Sequence, residues 1–160
     1  MIDAIIDELT NTFSVTPAPV AFARLVLAII LAGMLGMERE WRRKPAGLRT
    51  HILVAVAACL FVIIGLELAA LEFGDGNEQT NDPLRMIEAV TAGVAFLAAG
   101  LIFTSNGEVR NITTGASLWL AGAIGLGCGA GKIPLAAMAA VTAVAVLYVL
   151  RLVEEAAGTS

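Results

Sequence analysis

Five apolar blocks, near residues 20–37, 52–71, 86–104, 113–130 and 133–150, follow one another along this chain of 160 residues. Each approaches the ~20 residues that carry an α-helix across a ~30 Å hydrocarbon layer, with tilt and snorkelling absorbing the difference. The last two blocks are divided only by Gly131-Lys132-Ile133-Pro134, a turn that breaks a single long helix and favours an antiparallel hairpin. The expected fold class is therefore all-α, a polytopic transmembrane helical bundle of about five spans. Composition points the same way: hydrophobic residues reach 58% and charged residues only 15%, against about half and about a quarter in soluble domains. The lipid bilayer is the first expected partner, because lipid has to cover much of this surface.

Three segments follow: an N-terminal interfacial segment over 1–19, the transmembrane domain over 20–151 and a cytoplasmic tail over 152–160. The opening MIDAIIDELTNTF carries acids where a secretory signal carries bases, and no apolar stretch precedes a small-residue cleavage site, so it is expected to be retained. Ile2, Ile5, Ile6, Leu9 and Phe13 recur at helical spacing, as in a short helix lying in the membrane interface.

Orientation is read from the sign of charge. A net charge of −4 conceals a split: Arg39, Arg42, Arg43, Lys44 and Arg49 are five of the ten bases, whereas Glu67 to Glu88 holds six acids and only Arg85. Lys and Arg in short loops set orientation while acids count for little, which places the basic loop 38–51 in the cytoplasm. The N-terminus and the acidic loop 72–85 are then outside, 105–112 with Arg110 inside, Lys132 outside, and the chain from Arg151 cytoplasmic. A basic loop beside a spanning helix reports topology, so nucleic acid is not an expected partner.

Charges within spans usually face a bundle interior, a cavity or a partner of opposite sign. Arg24 lies four residues into the first span, about 6 Å of helix. Glu67, Asp82, Arg85 and Glu88 approach the same outer leaflet from the second and third spans. Two readings stand. In one, Arg85 bridges Glu88 and Arg24 meets Glu67 across helices, forming a clasp. In the other, the carboxylates form a polar vestibule suited to hard divalent cations, though their spacing selects none of Mg²⁺, Ca²⁺ or a proton.

At the opposite surface, the run from Glu38 to His51 compresses charges, a turn and a hydroxyl between two spans. Pro45 and Gly47 make the turn, and Trp41 suits the interface. Anchoring to anionic lipid accounts for the bases, but less well for Glu38, Arg39, Arg49 and Thr50 set against the helix ends, where Thr50 is expected to cap a helix start. His51 is the sole histidine, too few for a metal site. Cys59 and Cys128 lie inside apolar blocks without CxxC spacing and read as small buried hydrophobes. No nucleophile with a base and orienting group, no GxxxxGK[ST] and no HExxH occurs, so neither an enzyme nor a cofactor is expected.

In the fourth span Gly115, Gly122, Gly125 and Gly129 recur at steps of seven, three and four, on one expected helix face where a second backbone can approach; Gly93 and Gly100 offer the same in the third. Packing within one bundle, a homo-oligomer interface and a backbone-lined path remain open as uses of these glycines.

Along these residues the chain resembles the MgtC/SapB family of bacterial inner-membrane proteins, most nearly its short SapB/YhiD-like members. The likeness rests on RLVLAIILAGMLGMERE over 24–40, AGLRTHILVAVAACLF over 46–61, DPLRMIEAVTAGVAFLAAGLIF over 82–103 and TTGASLWLAGAIGLGCGAG over 113–131. Where the family commonly has GIGFLGAG this chain has GVAFLAAG, with Ala95 and Ala98 replacing glycines. The cytoplasmic C-terminal domain of longer members is expected to be absent after Glu154-Glu155. The resemblance implies a multi-pass inner (plasma) membrane protein connected with growth at low magnesium and, in some members, with virulence or acid survival. It also implies a regulator more than a transporter, with the proton-translocating ATP synthase a proposed target. Carried over by motif, the positions of interest are Arg24, Glu38, Arg39, Gly47, Arg49, Thr50, Asp82, Arg85, Thr113, Thr114 and Trp119. The expected function is regulation of another inner-membrane complex in magnesium or envelope-stress homeostasis. The alternatives are a channel or carrier for a small cation such as Mg²⁺, and an oligomeric membrane scaffold.

Overall fold

The computed structural model describes residues 1, 2, 6, 12–70, 82–105 and 107–157. Five helices dominate it: α1 (Ala18–Trp41), α2 (Leu48–Ala69), α3 (Pro83–Leu101), α4 (Ile112–Gly129) and α5 (Ile133–Ala156). All five are long and apolar enough to cross a membrane, so the chain is a multi-pass membrane protein. Their starts follow local chemistry. Pro19, Pro83 and Pro134 stand in the first turns of α1, α3 and α5, where a missing N–H costs no helical hydrogen bond. The Asp82 carboxylate caps α3 by accepting from the Leu84 N–H at 3.0 Å.

Two helix ends close in the same way. After α4, Gly131 (φ 72°) turns left-handed; its N–H donates to the Cys128 carbonyl and the Lys132 N–H to that of Gly127, the paired bonds of a Schellman motif. After α1, the Arg43 and Lys44 N–H groups reach the carbonyls of Glu40 and Arg39, and the left-handed position falls to Arg43 (φ 53°). A side chain there costs about 1–2 kcal/mol against the glycine usual at this position.

The third span ends at Leu101, earlier than the expected 104. Phe103–Ser105 (β1) pairs antiparallel with Glu108–Arg110 (β2), Thr104 facing Val109. The amide of left-handed Asn111 donates to the Leu101 carbonyl at 3.0 Å, stapling the end of α3 to the start of α4. Strands of three residues are too short to leave a periodic signature, which is why the hairpin escapes a reading of the sequence.

Successive helices run antiparallel, so α2 and α4 run parallel, and α4 touches all four other helices. The bundle centre is built from small side chains: Ala28, Ala32, Ala55, Ala121, Cys59 and Cys128 are buried, with Leu35 and Ile124 filling the remaining volume. Both cysteines are free and buried, as expected of small hydrophobes. A Cβ at Gly125 would fall within the Ala55 carbonyl, and one at Gly129 would lie 2.6 Å from the Cys59 carbonyl oxygen. The α2 and α4 backbones thus approach as closely as glycine allows. Gly115 and Gly122 meet Ile102 and Val94 instead. The four glycines do not serve one partner, because α4 lies between α2 and α3 and their ~80° arc is divided between the two. Gly93 and Gly100 of α3 face open space among the described residues, so the first of the three uses, packing within the bundle, does not apply to them here. α3 and α5 leave most of their surface to the surroundings, with Phe96 80% exposed.

Candidate functional site

The connection between α1 and α2 brings the expected residues together, though not all of them. Its carbonyls and N–H groups are tied down by side chains from both helices. Glu40, in the last turn of α1, accepts the Leu48 N–H at 3.0 Å and so caps the start of α2 from outside. Gly47 lies against this carboxylate so closely that a Cβ would overlap it, which gives the glycine a steric reason. Thr50 does not cap α2, contrary to expectation: α2 starts at Gly47, which carries no side-chain cap, and Thr50 already lies within the helix. Gly36 lets α1 approach, since a Cβ there would sit 2.8 Å from the Leu48 Cα and 2.9 Å from the His51 Cβ.

Beneath the connection is a buried polar junction. Arg39 is 3% exposed and donates from Nε to the Glu38 carboxylate, forming an ion pair. The other Glu38 oxygen, Oε1, is buried without a hydrogen-bond partner among the described residues. His51, fully buried, places Nδ1 2.8 Å from the Gly47 carbonyl and Nε2 3.0 Å from Ser117 Oγ on α4. Ser117 Oγ also lies 2.9 Å, within hydrogen-bond distance, from the carbonyl oxygen of Thr114, which is buried too. Glu38 lies within electrostatic reach of His51 and of Arg151 on α5, and Arg151 pairs with Glu155 at 2.7 Å. Four helices thus converge at this end. His51 and Ser117 were not among the expected site residues. The available signal was a serine and two threonines at the start of an otherwise apolar span, opposite the chain's one histidine.

Other expected members stand apart. Arg49 is exposed and makes no ion pair among the described residues; Thr113 and Trp119 are exposed on α4. Thr113 lines a groove of about 510 Å³ between α4 and α5 that the buried Ser117 also borders, and Trp119 lines a smaller one of about 250 Å³ between α3 and α4. A third groove, about 640 Å³ and wholly apolar in lining, separates α2 from α3.

At the opposite end the expected clasp does not form. Arg24 donates from Nη1 to the Gly129 carbonyl at 2.7 Å, closing the end of α4. Glu67 instead accepts four bonds from the segment entering α1: Ser14 N (2.9 Å), Ser14 Oγ (2.7 Å), Val15 N (3.0 Å) and Thr16 N (2.7 Å). Free backbone groups outcompete the arginine–carboxylate pair because a buried helix end and an entering segment both leave theirs otherwise unpaired. Arg85 and Glu88 are exposed and form no ion pair with each other, and Asp82 is used as a cap. Most of the acidic loop 72–85, and most of the expected interfacial helix, lie outside the described residues. Among the described residues no group of three metal-ligating side chains occurs.

The sequence model of the MgtC family matches residues 25–156. Protein MgtC of Brucella abortus (strain 2308) is 42% identical over 129 residues, 81% of this chain and 50% of that protein. The putative magnesium transporter YhiD of Escherichia coli (strain K12) is 38% identical over 129 residues, 79% and 58% respectively. An uncharacterized protein of Haemophilus influenzae is 35% identical over 114 residues, 70% and 48%. The chain spans about half the length of the curated relatives it matches. No solved structure matches.

Proposed function

The chain belongs to the MgtC family, and on that premise we propose that it is a bacterial inner-membrane regulator tied to magnesium or envelope-stress homeostasis, non-enzymatic, acting by contact between its basic face and another membrane complex. The magnesium link rests on the family and on the name of the Escherichia coli relative. Orientation rests on charge: Arg39, Arg42, Arg43, Lys44, Arg49, Arg110 and Arg151, seven of the ten bases, gather at one end of the bundle. That end faces the cytoplasm by the positive-inside rule, with the start of α1 outside. Reporters fused at Lys132 and after Ala157 should then lie on opposite sides, and a shared side would overturn this orientation.

The observation that carries the reading is the buried junction itself. Glu40 and His51, bonded to the Leu48 N–H and the Gly47 carbonyl, hold the α1–α2 connection in one shape above the Glu38–Arg39 ion pair, while Trp41, Arg43, Lys44 and Arg49 are left exposed upon it. A fixed surface of exposed bases and an aromatic suits contact with a partner, whose recognition is favoured by groups that need no reordering. Between the two ends the helices close through alanines, cysteines and glycines, a packing that favours a regulator over a carrier. Purified protein in liposomes loaded with a magnesium-sensitive dye tests this directly. No flux above protein-free liposomes is expected, and reproducible flux would overturn the reading in favour of a cation carrier. A scaffold reading draws on Gly93 and Gly100, seven residues apart on α3 with open space before both. Cross-linking that joins copies through this face would favour it.

A further inference from the structure

We propose that His51 is a proton-binding site whose two charge states wire α2 to α4 differently. The inference does not depend on the proposed function. The Gly47 carbonyl, 2.8 Å from Nδ1, can only accept, so Nδ1 carries a hydrogen in either state. Ser117 Oγ, 3.0 Å from Nε2, has one hydrogen and also lies 2.9 Å from the Thr114 carbonyl, which again can only accept. One hydroxyl hydrogen cannot serve both.

In the neutral ring, Ser117 donates to Nε2. When a proton binds the Nε2 lone pair, Nε2–H donates to Ser117 Oγ, and the hydroxyl hydrogen turns to the Thr114 carbonyl. Both states leave every hydrogen on the ring and hydroxyl with an acceptor, so neither state leaves a buried donor unsatisfied. The charged groups facing the ring are few. From α1 come Glu38 and Arg39, which pair with each other. From α5, Arg151 lies near Glu38, and α4 offers only the uncharged Thr114 and Ser117. On α2 itself Arg49 is exposed, and Glu40 is committed to the Leu48 N–H. Ser117, itself buried, borders the groove between α4 and α5. Proton occupancy at His51 thus sets the side-chain bond between α2 and α4 directly under the exposed basic connection.

His51 is the chain's only histidine, so ¹⁵N-histidine labelling yields one ring. The full chain in lipid nanodiscs would be titrated through the range about the ordinary imidazole pKa of ~6.5, and the ring nitrogens followed by NMR. The expected neutral form is protonated at Nδ1 and bare at Nε2, passing reversibly to a form protonated at both. Ser117→Ala removes an acceptor that matters more to the charged ring than to the neutral one, and should lower proton affinity roughly three- to tenfold. Glu38→Gln should lower it as well. A neutral form protonated at Nε2, the absence of a transition, or an unchanged midpoint in both variants would overturn the proposal, leaving His51 a core residue with satisfied bonds. If Ser117→Ala does not fold, the tautomer and transition of the parent protein still decide.

Discussion

Replacing Arg24 by methionine separates two accounts of the outer charges. Gly129 closes α4, and its carbonyl is one of the last four of that helix, which have no intrahelical donor. The N–H groups of Ala130, Gly131 and Lys132 go to Leu126, Cys128 and Gly127, so the bond to Gly129 comes from the Arg24 guanidinium, at 2.7 Å and part-buried. A hydrogen bond to a charged group contributes ~1.5–3 kcal/mol, and a cation at a helix C-terminus roughly another 0.3–1 kcal/mol. Because methionine keeps the apolar stem, Arg24→Met isolates the polar contribution, and a loss of about 2–4 kcal/mol follows from these two terms. Reversible unfolding in mixed detergent micelles, followed by far-ultraviolet circular dichroism, measures it. The double variant Arg24→Met with Glu67→Gln adds the decisive comparison. Glu67 receives its bonds from Ser14, Val15 and Thr16 and none from Arg24, so the two effects should simply add. Undiminished stability in Arg24→Met would refute the helix-end argument, and strong non-additivity would restore the clasp.

The glycines should sort by neighbour, not by spacing. Gly125→Ala, which drives a methyl into the Ala55 backbone, should cost about 1–3 kcal/mol, whereas Gly93→Ala and Gly100→Ala enter open space and should gain up to ~1 kcal/mol of helix propensity in the same unfolding assay. Gly47→Ala should disrupt the α1–α2 connection by displacing the Glu40 carboxylate. Glu40→Ala alone should cost about 1 kcal/mol as a lost cap, and adding Gly47→Ala to it should cost nothing more, since the clash is gone. A double variant much less stable than Glu40→Ala would show that Gly47 is needed for another reason.

How much of this was legible in the sequence follows from what each feature depends on. The five spans, their proline starts and the basic end depend on the thickness of hydrocarbon and on local composition, both readable along one dimension. Near-membrane-length apolar runs therefore placed the helices to within four residues, apart from the end of α5, which continues six residues past 150, while the strand pair after α3, three residues each, leaves no pattern. The pairings depend on the azimuth and depth of each helix against its neighbours, which no run of residues states. Gly93 and Gly125 look alike in sequence, yet one faces open space and the other the backbone of α2. Arg24 and Glu67 had matching depth and opposite charge, but each was claimed by backbone groups that only the assembled bundle exposes. His51 and Ser117 are 66 residues apart and become one polar unit because α2 and α4 run parallel and close enough for the imidazole to reach the hydroxyl. That contact was decided by packing alone, since a lone histidine carries no signal of the group it will meet.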